Sequence, residues 1–288
     1  MWILYAFASA FFAGITAILA KCGIKDIDSN VATAIRTIVV LIFSWLIVFL
    51  VGSQSSITCI SEKTLLFLIL SGLATGASWI CYFKALQLGD VNRVAPIDKF
   101  STVLSILLAF IVLGEPITVL KAVAILPIAL GTYLMIQRKP LEKHIESSNK
   151  SWIVYAFLSA FFASLTSILG KIGICGVESN LGTAIRTIVV LIMAWVVVFL
   201  TKKQGTIKKI DKRSLLFLCL SGVATGASWL CYYHALQEGQ ASIVVPIDQL
   251  SIVLTVAFSY FILKEKVTKK SLAGLFLLVA GTMALLVK

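Results

Sequence analysis

The sequence predicts an all-α membrane protein with ten transmembrane helices, arranged as two inverted five-helix repeats. Three observations carry that expectation. The composition is too apolar for a water-soluble chain, the apolar segments have bilayer length, and a long phrase is written twice. Hydrophobic residues fill 59% of the 288 positions, charged residues only 13%, and the mean hydropathy is +1.01. A soluble domain carries about 25% charged residues. Residues 70–82 read LSGLATGASWICY, and residues 220–232 read LSGVATGASWLCY, 150 positions later. The same shift lays 29–42 (SNVATAIRTIVVLI) on 179–192 (SNLGTAIRTIVVLI), and APID (95–98) on VPID (245–248). Roughly half of the aligned positions match without a gap, so one unit is written twice.

Taken in order, the first unit (1–137) offers spans at 2–20, 31–51, 64–87, 94–113 and 118–137. The second unit (151–288) offers spans at 152–170, 181–200, 214–237, 244–263 and 271–287. Each is about long enough to cross a bilayer core as a helix. Strands are excluded because they are shorter and need a closed barrel to pair every backbone group. Residues 138–150 (RKPLEKHIESSNK) are too polar and too short to cross and form a linker. Because five is odd, the second unit enters the membrane upside down relative to the first.

The net charge of +12 fits this topology. With Met1 on one side, the linker and the basic loops, such as Lys202, Lys203, Lys212 and Arg213, all fall on the other. Only Lys63, Lys121, Lys171 and Lys288 share the side of Met1, while Arg36 and Arg186 lie within spans. Positive residues gather on the cytoplasmic face. The linker is therefore expected in the cytoplasm, both termini outside, and the chain in the cell membrane. This placement of charge argues against a nucleic-acid partner. The apolar run after Met1 recurs at Trp152, so it is read as a span and not as a removable signal. The six cysteines lack metal or redox spacing, and no cofactor is expected.

Helical periodicity sorts the faces. In span 3, Ser71, Thr75, Ser78 and Tyr82 form a stripe beside Gly72, Gly76, Trp79 and Phe83. Span 8 repeats it with Ser221, Thr225, Ser228 and Tyr232 beside Gly222, Gly226, Trp229 and Tyr233. Span 4 carries Asp98, Ser101, Thr102 and Ser105, and span 9 carries Asp248, Ser251, Thr255 and Ser259. Thr33, Arg36 and Thr37 in span 2 match Thr183, Arg186 and Thr187 in span 7. Spans 5 and 10 have no such stripe and are expected at the periphery, facing lipid. Spans 1–4 and 6–9 are expected to surround a polar cavity. Two simpler readings compete: glycines four apart serve close packing, and single hydroxyls bond back to their own helix.

The candidate solute-binding residues are Tyr82, Trp79, Ser78 and Ser101, with Tyr232, Trp229, Ser228 and Ser251 in the second copy. The candidate gating or coupling residues are Arg36, Asp98, Arg186, Asp248 and His234. Charges at this depth cost a few kcal/mol unless paired or hydrated. Arg36 with Asp98, and Arg186 with Asp248, would form a gate at each mouth. The alternative is a permanent ion pair, or arginines that snorkel to headgroups. His234 falls on the aliphatic side of span 8 near its end, where it either snorkels or titrates within the cavity. Pro96 and Pro246 either break the starts of spans 4 and 9 or sit in a first turn. Glu115 and Glu265 read as helix-start caps.

These features resemble the EamA domain of the drug/metabolite transporter superfamily. The resemblance rests on the five-helix unit, AIRTIVV in span 2, ALQLGDVNRVAPID and ALQEGQASIVVPID before spans 4 and 9, and Glu115 and Glu265. It is strongest to short five-helix members that work as pairs, here fused. It implies a solute pathway between the two units, opened by alternating access. Spans 1 and 6 hold no acidic residue, so the proton coupling of small multidrug-resistance relatives is not implied. The expected function is secondary transport of a small polar metabolite such as an amino acid or amine. Its partners are the solute and membrane lipid; one chain suffices for a pathway, and a higher oligomer stays open. No nucleotide loop or nucleophile–base pair points to an enzyme. A flippase for a lipid-linked headgroup, a channel and a scaffold stay open as alternatives.

Overall fold

The computed structural model describes residues 1–23, 27–88, 94, 97–135, 151–261 and 268–286. The linker at 138–150, Pro96 and Glu265 lie outside the described residues, as do Lys25, Arg93, Lys264 and Lys266. The described residues contain helices and no strand. In the first unit they are α1 (Trp2–Gly23), α2 (Ser29–Val51), α3 (Glu62–Leu88), α4 (Ser101–Val112) and α5 (Val119–Met135). The second unit has α6 (Ser151–Ile174), α7 (Ser179–Leu200), α8 (Lys212–Glu238), α9 (Ala241–Gln249), α10 (Ser251–Phe261) and α11 (Lys269–Ala284). Seven segments are long and apolar enough to cross a bilayer, with α5 a shorter apolar helix. The chain is a multi-pass membrane protein.

Local chemistry sets the helix ends. Asp28 accepts from the Asn30 amide at 2.9 Å, and Glu178 accepts from Asn180 and Leu181, each at 3.0 Å, so both copies start this helix with an acidic cap. Gly52 ends α2 in the left-handed region at φ +81°. Its repeat counterpart after α7 is Lys202, held at φ +55°. That conformation suits glycine and strains a residue with a Cβ.

The span predicted at 244–263 is divided. Leu250 separates α9 from α10, and its amide bonds to Ile247 O at 2.9 Å in a tighter turn. Phe100 does the same before α4, bonding to Ile97 O at 3.1 Å. Pro246 lies inside α9, so it neither breaks a helix start nor sits in a first turn; the break follows four residues later.

The largest interfaces join the two units. They pair α3 with α6, α1 with α8, α5 with α11 and α2 with α7, followed by α3 with α7 and α2 with α8. Glycines set these distances. A Cβ on Gly72 would fall 2.7 Å from Val189 Cβ, and one on Gly222 would fall 2.6 Å from Val39 Cβ. The glycine stripes therefore serve close packing. Helices α5 and α11 cross backbone to backbone, where a Cβ on Gly131 would lie 2.6 Å from Gly274 O. Their outer faces expose Leu126, Leu130 and Phe276, apolar surface suited to lipid. Peripheral placement thus goes together with mutual pairing.

Directions follow from register. Val48 clusters with Leu181 and Ala184, while Val31 and Ala34 cluster with Ala194 and Val198, so α2 and α7 run antiparallel. Ser71 meets Thr166 and Ser78 meets Ser159, so α3 and α6 are antiparallel too.

Candidate functional site

The hydroxyl stripes line seams between the units. Ser78 Oγ donates to Ser159 O at 3.1 Å, and Ser159 Oγ donates to Asp98 at 2.7 Å. In the second copy, Ser228 Oγ donates to Ser9 O at 3.1 Å, and Ser9 Oγ donates to Asp248 at 2.5 Å. Each aspartate is thus served by a serine of the other unit. Ser71 and Ser221 likewise donate to Thr166 O and Thr16 O, at 2.7 and 3.1 Å. The expected polar wall on α3 and α8 is a hydrogen-bonded helix–helix contact, with Ser71, Thr75, Ser78, Ser221, Thr225 and Ser228 all buried. A hydroxyl stripe on an apolar helix serves a cavity and a hydrogen-bonded seam equally well, and the seam is what these stripes meet.

The two intramembrane arginines share sequence context and differ in surroundings. Arg186 is buried to 2% exposure. Its Nε donates to Ser71 Oγ at 2.9 Å and its Nη2 donates to Thr75 Oγ1 at 2.6 Å. The protons of both hydroxyls are committed to the Thr166 and Ser71 carbonyls, at 2.7 and 3.0 Å, which turns lone pairs toward the guanidinium. The cation also lies 5.2 Å from the Trp229 ring centre and 4.9 Å from that of Tyr233. Its Nη1 is buried without a partner among the described residues.

Arg36 is half-buried and lines a cavity of about 120 Å³ with Asn30, Thr33, Trp79, Phe83, Ala194 and Val197. Its guanidinium has no hydrogen bond or ion pair among the described residues. Ser221 and Thr225, the counterparts of the hydroxyls that hold Arg186, donate in the same way to Thr16 O and Ser221 O, but accept from no arginine among the described residues. Arg36 lies near the start of α2, whereas Arg186 lies near the start of the antiparallel α7. The open and closed sites therefore occupy opposite ends of that helix pair. Neither arginine forms the expected salt bridge to Asp98 or Asp248 among the described residues.

The remaining candidates are spread between these centres. Trp79 is a cavity wall, and Trp229 and Tyr233 are stacked on Arg186. Tyr232 shares a 2.8 Å hydrogen bond with Ser167. Tyr82 packs, with Ile97, Trp152 and Tyr155, against the buried cluster of Ala85, Val94 and Ala156. Ser101 and Ser251 begin α4 and α10 and are half-buried. His234 is not on the lipid side: its Nδ1 lies 3.1 Å from Ser179 Oγ, its Nε2 lies 3.4 Å from Glu238, and its ring lies 4.1 Å from Tyr5.

Several functional contacts escaped sequence reasoning. Asn30, Thr33 and Phe83 complete the cavity around Arg36. Glu115 does not cap its own following helix. It accepts from the Ala241 and Ser242 amides at 2.6 and 3.0 Å, capping α9 of the other unit. Lys171 Nζ donates to Leu236 O, and to Gly239 O at 2.7 Å, while Lys121 Nζ donates to Gln240 at 2.6 Å. The turn between α8 and α9 is thus clasped by charges from elsewhere in the chain. Ser271 stands where the first copy has Lys121, so the sequence does not repeat the Lys121 contact.

Similarity to other proteins agrees with this architecture. A transporter described as uncharacterized, from Sinorhizobium sp., is 45% identical over 134 residues, which is 46% of this chain and 95% of that protein. An uncharacterized protein of Methanocaldococcus jannaschii is 29% identical over 133 residues, 46% of this chain and 94% of its own. Each relative thus has about the length of one repeat. A solved structure superposes with a TM-score of 0.81 at 14% identity, covering 98% of this chain and 95% of that one, which speaks for the fold alone. Residues 1–137 and 150–287 each match the sequence profile of the EamA-like transporter family, so this chain belongs to that family.

Proposed function

We propose that the protein is a secondary transporter that moves a small polar metabolite by alternating access between two inverted five-helix repeats. Ten crossings, a cytoplasmic linker at 138–150 and both termini outside complete this reading. One observation carries it: two arginines in matching sequence contexts are closed at one end of α2–α7 and open at the other. If the units exchange environments, the cavity changes sides without a continuous pore. The antiparallel run of α2 and α7 supports inversion. Trp79, Tyr82, Ser78 and Ser101, then Trp229, Tyr232, Ser228 and Ser251, are the proposed solute contacts. Arg36, Asp98, Arg186, Asp248 and His234 are the proposed gating and coupling groups. The serine–aspartate contacts between the units are suited to transmit motion from one copy to the other. Uptake into reconstituted vesicles, run against a panel of amino acids, nucleosides and amines with and without a pH gradient, tests this. Saturable uptake of at least one solute is expected. Solute leak without saturation points to a channel, and no flux for any class refutes transport. If Asp98→Asn and Asp248→Asn both leave flux unchanged, the aspartates have no gating role.

A further inference from the structure

We infer that the cavity beside Arg36 is a binding site for a carboxylate, with the apolar part of the solute against Trp79 and Phe83. This deepens the transport reading and rests on it. An arginine within a membrane helix needs compensation. Arg186 obtains it from two hydroxyls and two aromatic faces. Among the described residues, Arg36 obtains none and no acidic residue lines its cavity. Its guanidinium keeps its donors free in a fixed planar fork. That fork matches the two oxygens of a carboxylate, and a low-dielectric surrounding strengthens the contact.

The neighbours refine the class. Asn30 Oδ1 is buried without a partner, and Asn30 also lines the cavity. Its amide adds a polar group to the wall that carries Arg36. The other walls, Trp79, Phe83 and Val197, offer mainly ring and aliphatic surface to a chain. The aspartates do not pair with Arg36 among the described residues; Asp98 and Asp248 accept from Ser159 and Ser9 in the seams. A cationic amine would meet like charge at Arg36.

The test is equilibrium binding to the detergent-purified full chain by calorimetry, with isocaproate, isocaproamide and isoamylamine as probes. The first two differ in charge at nearly constant shape. The native protein is expected to prefer the carboxylate over the amide by at least about tenfold, with the amine weakest. Arg36→Gln is expected to abolish that preference. Arg36→Lys is expected to retain a weakened one, because charge stays and the fork is lost. Equal binding of amide and carboxylate, preference for the amine, no binding of any probe, or a preference that survives Arg36→Gln overturns the inference. The comparison on the native protein stands even if a variant fails to fold. Binding needs no translocation, so carboxylate binding without vesicle flux would refute the transport reading alone. Flux that is indifferent to carboxylates would refute this inference alone.

Discussion

Replacing Ser71 and Thr75 by alanine should open the end of the protein that Arg186 now closes. These hydroxyls accept from Arg186 at 2.9 and 2.6 Å. Hydrogen bonds to charged groups contribute about 1.5–3 kcal/mol each. The open form returns part of this to water, so the lower end applies, about 3 kcal/mol for the pair. That corresponds to a shift of about a hundredfold between closed and open forms. The assay is maleimide labelling of Thr183→Cys with the native cysteines replaced. Thr183 is fully buried one turn from Arg186 and should label about a hundred times faster in the double variant. Ser221→Ala with Thr225→Ala is the matched control. It removes the equivalent bonds to Thr16 but no bond to an arginine. Labelling that rises equally in both doubles, or in neither, refutes the assignment of Arg186 as the lock.

Three further outcomes follow. Lys202→Gly should raise stability by about 1 kcal/mol, seen in thermal unfolding, because Lys202 holds a left-handed conformation at φ +55°. Gly131→Leu should separate α5 from α11, since even a Cβ there would lie 2.6 Å from Gly274 O; a lowered melting temperature is expected, and the same melt as native would contradict the crossing. Burial raises the Glu178 pKa, but hydrogen bonds from the Asn180 and Leu181 amides and from Ser179 outweigh it and hold it below the usual range. A depressed carboxylate stabilises the fold above its unfolded pKa and loses that contribution as pH falls through the folded value. The stability gap between native protein and Glu178→Gln should therefore shrink as pH falls below the ordinary glutamate value of about 4.3.

Much of the fold was legible because its signals are local. Apolar runs of bilayer length mark α1, α2 and α3, and the 150-residue shift pairs each with its counterpart in α6, α7 and α8. The break at Leu250 was not legible, since Asp248 and Ser251 beside it read equally well as the polar face of one continuous span. The stripe of Ser71, Thr75 and Ser78 was visible as a face, but its partner was not. A period of 3.6 tells which residues share a side, while the docking of α6 decides what they meet. The difference between Arg36 and Arg186 lay furthest out of reach. Both sit in AIRTIVV, so their unlike surroundings belong to the conformation and to the few positions where the copies diverge.

Reciprocity between the two ends tests the central claim most directly. Thr33 lines the Arg36 cavity, and Thr183 holds the matching position beside Arg186. In membrane vesicles, Thr33→Cys and Thr183→Cys would be labelled with an impermeant maleimide from each side, with and without the Ser71→Ala, Thr75→Ala pair. Alternating access predicts that each cysteine labels from one side only, that the sides are opposite, and that gain at Thr183 comes with proportional loss at Thr33. Labelling of both from the same side, or independent change at the two positions, would contradict it.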